Sequence, residues 1–459
     1  MRIVFLLTLS FVFSLALAQE EKVLPYNEYI AIVLANHPIA QQAELKLQIA
    51  ERYQQKSKGS LDPKLFADAN QKYFEDKKYY SLIDAGLKVP TWIGIDIIAG
   101  IEQNEGVFLS NQNRTPDAGL WYAGVEVPLG KGLFIDERRT AIKQAKILLE
   151  SSELERNMQL SELVFNAGSA YWSWFESYHQ FKTFEEAIAL AQFRLDGVII
   201  NAELGEMAFI DTLEAGLIVQ NRQVGYQEAL TSFQNASEQL NVFLWLDGSI
   251  PMEIDSLTIP IAKEDVAFPG LNERVIDSTL QNHTYFQLIE NKLEILDIEQ
   301  RYRRDQLKPE LTLNYNALAG NSGAETLGEY NFTDYKWGIN FEIPLFLRKE
   351  RAELNLNRIK IIDTELEFAF QKENVETKVN IAKNNYSNAV IQSGNYSRLM
   401  RDYSSLLDAE NTEFLVGEST VFMVNSREVK YIDAQLKYLE SLKKAKTQML
   451  KLDYVLFNF

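Results

Sequence analysis

The 459-residue chain has no cysteine. Disulfide staples and thiolate metal centres are therefore excluded, as is a lipid carried on an N-terminal cysteine. Three histidines leave little material for a transition-metal site, and no metal or cofactor is expected. Positive charge is also scarce: 46 Lys and Arg stand against 64 Asp and Glu, for a net charge of −18. No basic face dominates, which argues against nucleic acid as a partner. Neither a P-loop, a nucleophile elbow nor a clustered metal site is present, so the chain does not read as an enzyme. After residue 18 no stretch of about 18 residues is apolar enough to cross a bilayer as a helix. Such a chain is either soluble or enters a membrane as β-strands.

The N-terminus has a basic start (Met1-Arg2), an apolar run from Ile3 to Leu15 and an A-x-A site at Ala16-Leu17-Ala18. This pattern predicts a secretory signal over residues 1–18, cut before Gln19.

The remainder repeats itself. Asn36-His37 is followed 26 residues later by Pro63 and an alternating run; Asn282-His283 is followed 26 residues later by Pro309 and another. Both pairs are 246 residues apart. Val127-Pro128-Leu129 matches Ile343-Pro344-Leu345, and Leu204-Gly205-Glu206 matches Val416-Gly417-Glu418. The repeats divide the chain into 19–246, an irregular proline-bearing stretch at 247–270, and 271–459.

Each repeat predicts very long helices. Residues 135–201 lack proline, and Leu163, Ala167, Ala170 and Trp174 follow the 4-3-4 spacing of a coiled-coil seam. A helix of that length reaches about 100 Å, too long for a compact domain. Shorter helices are expected at 211–246, 271–281 and 283–306, and the second repeat has its own at 351–413 and 421–456. Pro38 to Lys58 forms one more. The 211–246 and 283–306 helices sum to about 90 Å, so they are expected to stack end to end beside the long one. The 247–270 stretch would then lie at the waist. Asn36 and Asn282 are expected to cap the helices that follow.

Between the helices lie period-two runs, four in the region 63–128 and two in 309–345. Ile93, Ile95, Ile97, Ala99 and Ile101 alternate with Gly94, Asp96, Ile98, Gly100 and Glu102. Trp121 to Val127, Leu311 to Ala317 and Tyr335 to Ile343 alternate likewise; Leu65 to Phe74 and Tyr79 to Val89 do so more weakly. One face is aliphatic with Trp or Tyr near its ends, and the other carries Asp, Glu, Asn, Lys and Gly. That is the pattern of a membrane barrel with lipid outside and water inside. Ile93, Ile95, Ile97, Trp121, Trp337 and Phe341 are the expected lipid-facing residues. An open sheet of four to six strands leaves unpaired backbone groups in lipid, at several kcal/mol each by order of magnitude, so closure requires several copies.

In these motifs the chain resembles the outer-membrane efflux protein family, the TolC-like outer-membrane factors. The resemblance rests on Asn36-His37-Pro38, Gly59-Ser60-Leu61-Asp62-Pro63, Val127-Pro128-Leu129 and the turns at Gly205 and Gly417, the segment Phe414 to Thr420 above all. It covers essentially the whole mature chain in family order. It implies a mainly α fold with membrane β: a homotrimer joining a 12-stranded outer-membrane barrel to an α-helical barrel in the periplasm, docked to a periplasmic adaptor and an inner-membrane transporter. It also places Asp408 near a periplasmic constriction. One departure stands out: Pro63 to Pro128 spans 65 residues and Pro309 to Pro344 only 35. The surplus either adds a hairpin to the sheet or folds over the extracellular mouth, and the isoleucine face favours the first.

A channel needs pore width, wall charge and a gate. Glu206 and Asp211 near one turn, with Asp408, Glu410, Glu413 and Glu418 near the other, are the candidate rings of carboxylate. Gly205, Met207, Gly417, Ser419 and Thr420, with the rest of the segments Met207 to Ile210 and Ser419 to Phe422, are the candidate adaptor-facing residues. Arg138, Arg139, Arg348, Lys349 and Arg351 are placed to meet lipid phosphates. The competing reading is a periplasmic coiled-coil adaptor or structural protein without a pore, which has no use for an aliphatic strand face.

Overall fold

The structure is a computed structural model describing residues 22–247, 249–255, 257–320 and 333–457. The expected signal segment, residues 1–18, and Phe459 lie outside these. In chain order the elements are β1 (Lys22–Val23), α1 (Tyr26–Asn36), α2 (Pro38–Lys58), β2 (Lys64–Phe74), β3 (Lys77–Pro90), β4 (Asp96–Glu105) and β5 (Leu120–Pro128). Then come α3 (Glu137–Glu203), α4 (Phe209–Asn241), β6 (Trp245–Leu246), β7 (Ile250–Pro251), β8 (Thr258–Ile259), α5 (Glu273–Gln281) and α6 (Thr284–Asp305). The chain closes with β9 (Glu310–Ala319), β10 (Tyr335–Glu342), α7 (Arg348–Leu415) and α8 (Val421–Leu456). The long helices are 67 and 68 residues, α3 and α7 respectively. No described helix is long and apolar enough to cross a membrane.

The chain divides into two compact units that cut across the sequence repeat. One comprises residues up to 41, 160–273 and 379 onward; the other comprises 42–159 and 274–378.

The second unit holds a six-stranded antiparallel sheet in the order β10-β9-β5-β4-β3-β2, curled but not closed. All four strands of the long first hairpin region join it, so the surplus residues widen the sheet. Opposed residues keep one face across every ladder: Leu65, Leu87 and Ala99 follow one another, as do Ile97, Val125 and Tyr315, then Trp337. A slip of one residue would invert the faces, and none occurs over these rows. Gly86 and Gly100 face each other between β3 and β4. Without a Cβ at Gly100, the Tyr122 side chain lies flat across β4, and its hydroxyl donates to Asp84 Oδ1 on β3 at 2.8 Å. Glycine under an aromatic ring is a common device for sheet curvature.

The first unit packs an aromatic core. Tyr171, Trp172, Trp174 and Phe175 on α3 meet Tyr29 and Val33 of α1, Leu240 of α4, and Leu439 and Leu442 of α8. The predicted seam holds at Leu163, Ala167 and Trp174, which are buried. The 247–270 stretch belongs to this unit: β8 pairs in parallel with β1, and Tyr171 donates its hydroxyl to the Leu24 carbonyl at 2.8 Å. Asp453 on α8 is ringed closely enough that burial pushes its carboxyl up to about 6, from 3.8. Its folded pKa exceeds the unfolded one, so ionisation costs nothing below the unfolded value and its full amount above about pH 6; stability from this group falls between the two. Asp453→Asn should therefore raise the melting temperature near neutral pH, and that gain should vanish at about pH 3.5. A gain of equal size at both pH values would contradict it.

The helix caps correct one expectation. Asn36 ends α1, and His37 accepts from the Ile39 amide through Nδ1 at 3.1 Å; His283 does the same for Tyr285 at 3.2 Å. The cap is thus the histidine, one residue after the asparagine. A ring nitrogen can accept this bond only when unprotonated, and burial pulls the pKa of His37 down.

Candidate pore wall and docking tips

The wall is built on the sheet. On its polar face Lys88 of β3 reaches Asp96 of β4 at 3.1 Å and Glu126 of β5 at 2.6 Å. Lys336 of β10 meets Glu102 at 2.8 Å, and Lys78 meets Glu105 at 2.9 Å. Lys88–Asp96 and Lys78–Glu105 tie the adjacent strands β3 and β4, whereas Lys88–Glu126 skips one strand and Lys336–Glu102 two; on so open a surface each contributes about 1 kcal/mol or less. On the opposite face Ile97, Trp121, Trp337 and Phe341 are exposed. Ile93 and Ile95 are not strand residues: Pro90 ends β3, Gly94 takes φ +88° in the turn, and β4 begins at Asp96. Their alternation ran across a turn, because a glycine at every second place is also what a positive-φ turn uses.

The basic residues after β5 are structural too. Arg138 donates to Asp96 Oδ1 at 2.8 Å. Arg139 is buried and donates to the carbonyls of Gly132, Leu133 and Ile93. Neither is free to meet a phosphate.

The two helical turns close alike. Gly205 and Gly417 have φ of +78° and +81°. The Glu206 amide reaches back to the Asn201 carbonyl at 2.9 Å, and Glu418 to Glu413 at 2.9 Å. This is the six-to-one bond of a Schellman ending, which calls for glycine at the left-handed position. The turns pack together: Met207, Phe414 and Val421 join Ala191, Val198, Ala215, Ile218 and Val219 in one cluster.

Of the six candidate carboxylates, four are exposed: Glu206, Asp408, Glu413 and Glu418. Asp211 instead binds the Ala208 amide at 3.2 Å as part of the start of α4. Glu410 is buried, accepting from the Ser419 hydroxyl at 2.5 Å and from Arg427 Nε at 3.1 Å. The Ser419 bond first, and Arg427 after it, hold its carboxyl below the usual carboxylate range. Glu410 therefore fastens the turn. Among the docking candidates, Met207 is partly buried, Ser419 is engaged by Glu410, and Thr420 caps α8 by accepting from Met423. The exposed apolar groups are their neighbours, Leu204, Phe209, Ile210, Leu415, Val416 and Phe422, with Phe209 and Leu415 each 85% exposed. Phe209, Ile210 and Phe422 lie within the expected segments, and Leu204, Leu415 and Val416 extend that surface by their exposure.

Sequence reading also missed a buried ion cluster. Glu428 of α8 is 3% exposed, accepts from Arg194 of α3 at 2.5 Å, and lies 4.0 Å from Arg222 of α4. Among the described residues no group of His, Cys, Asp and Glu is arranged to hold a metal.

No protein-family model matches the sequence, and no curated protein matches it. Solved structures do. Against the CmeC outer membrane channel of Campylobacter jejuni the TM-score is 0.62 at 14% identity, covering 94% of this chain and 85% of that one. Against the outer membrane protein VceC of Vibrio cholerae it is 0.63 at 13%, covering 94% and 95%. Against the open state of the MtrE outer membrane channel of Neisseria gonorrhoeae it is 0.59 at 15%, covering 94% and 88%. Likeness at such low identity is likeness of fold, and it agrees with the resemblance carried by the repeat motifs: this chain has the fold of the TolC-like outer-membrane channels.

Proposed function

We propose that this chain is the exit duct of an efflux or type I secretion system. Three copies form a channel in the outer membrane that extends into the periplasm and passively conducts cargo delivered by an inner-membrane transporter through a periplasmic adaptor. The observation that carries this reading is the sheet: an aliphatic face with Trp at two strands, a charged face behind it, and two edges without a partner strand among the described residues. Lipid accepts such a sheet only if it closes. Apolar side chains left exposed on the helices of the same unit support association: Leu45, Ile49 and Tyr53 on α2, with Ile359, Ile362 and Leu366 on α7. Isolated exposed apolar groups are ordinary, but aligned stripes call for a neighbour. A pore-free periplasmic adaptor leaves the lipid-type face unexplained.

In this reading Asp408 and Glu413 are the pore carboxylates and Leu204, Phe209, Leu415 and Val416 meet the adaptor. Rings of carboxylate attract cations. Asp408→Asn with Glu413→Gln should lower cation preference in planar bilayers, and unchanged ion selectivity rejects the assignment. Phe209→Asp with Leu415→Asp should leave the assembly intact while abolishing adaptor capture. Full capture by that variant excludes the tips as the docking surface.

A further inference from the structure

We infer that the barrel is eighteen-stranded, closed by β10 of each copy pairing with β2 of the next in the register that sets Lys64 opposite Glu342. The inference rests on the proposed trimeric reading for its copy number, and on this chain's own ladders for the rest.

The two edges suit one another. In a six-stranded antiparallel sheet the outer strands run in opposite directions, so β10 of one copy continues onto β2 of another with the antiparallel alternation unbroken. Lys64 starts β2 just after Pro63, and Glu342 ends β10 just before Pro344 and α7, so both stand at the helix end of the sheet. Opposing them keeps like faces together. Leu65 then lies by Phe341, Ala67 by Ile339 and Ala69 by Trp337, small side chains against large. On the polar face Lys64 meets Glu342, and Asp68 falls diagonal to Lys336. A shift of two residues one way opposes Lys72 to Lys336 and strands Glu342 against Phe66. The same shift the other way carries Glu342 past the end of β2 to Asp62. Both alternatives bring like charges together.

The internal ladders supply an independent check. Paired residues lead across the sheet from Lys64 through Lys88, Ile98, Gly124 and Asn316 to Lys336. Lys336 is six residues from Glu342 along β10. Each copy thus adds six strands and, in this register, a stagger of six residues. Equal strand number and shear is the ratio of the eight-stranded barrel of shear 8, whose strands tilt by about 36°. That lies within the range of about 35–45° seen in outer-membrane barrels. The register that places Glu342 by Asp62 gives a stagger of four and a tilt of only about 27° by the same proportion.

Three copies make eighteen strands. At a spacing of about 4.8 Å and this tilt, facing backbones are about 34 Å apart, against about 23 Å for twelve strands. Eighteen-stranded barrels leave an open aqueous channel. The membrane wall of this duct therefore imposes little size selection, and it has room for a polypeptide as well as a small solute.

The chain has no cysteine, so a paired replacement gives a clean probe. Lys64→Cys with Glu342→Cys, oxidised in intact cells, should give a ladder on denaturing gels that ends at three linked chains. Lys64→Cys with Lys336→Cys, about 20 Å out of register, should stay unlinked. If the first double variant remains unlinked while still migrating as a trimer, the register is overturned. A ladder ending at two chains or passing three overturns the count. A single-particle reconstruction of the unaltered protein should show eighteen strands; twelve strands in a trimer overturn the inference and leave the channel reading intact, whereas a monomer overturns both.

Discussion

Glu428→Ala is expected to destabilise the helical unit by about 3–5 kcal/mol. The carboxylate is 3% exposed and joins three helices: Arg194 of α3 donates to it at 2.5 Å, and Arg222 of α4 lies 4.0 Å away. Among the described residues, Arg222 Nε and Nη2 and Glu428 Oε1 find no hydrogen-bond partner. Geometry that incomplete repays little of the cost of burying the charges. Deleting the glutamate leaves the buried Arg222 and the partly buried Arg194 without the carboxylate they share. Replacing all three residues with apolar ones of similar volume should be neutral or stabilising, because it removes the desolvation cost together with the attraction. Denaturant unfolding followed by far-UV circular dichroism distinguishes the cases. A triple variant as unstable as Glu428→Ala would mean that the cluster contributes net stability.

Ala99→Arg should cost about 2–4 kcal/mol, the penalty for a charge on the lipid side of a barrel near the bilayer midplane. Ala99 is exposed, and its partners on either side are Leu87 and Ala123, all on the aliphatic face. Asn316→Arg, on the charged face of β9, places the same charge in water and should cost little. The expected readout is a large loss of heat-resistant assembly for the first variant and near-normal yield for the second. Equal effects would mean that both faces see the same medium, and the sheet would then not span lipid.

Most helices were legible to within about three residues, for reasons visible at their ends, but the one expected over 211–246 stops at Asn241, and Trp245–Leu246 pair as a strand instead. Pro38 opens α2, and Gly205 and Gly417 stop α3 and α7 because only glycine enters the left-handed position without strain. α1 was missed because a single residue, His37, separates it from α2, and no turn signal marks so short a break. The strand faces were legible from period two, but the start of β4 was not, since Ile93 and Ile95 continue the alternation through a turn. Carboxylates could be located from the sequence but not sorted. Glu410 and Asp408 are two residues apart on α7, yet one is buried against Ser419 and Arg427 and the other is exposed. Only the packing of α8 decides between them. The Arg194–Glu428–Arg222 cluster joins residues 28 to 234 positions apart, and no local pattern announces it.

The most direct test is the mass of the protein drawn from outer-membrane vesicles in mild detergent. The unclosed sheet of each subunit predicts a particle of several chains, three in the proposed reading, that resists dodecyl sulfate until heated. A single chain that stays in aqueous buffer and binds no detergent would contradict it.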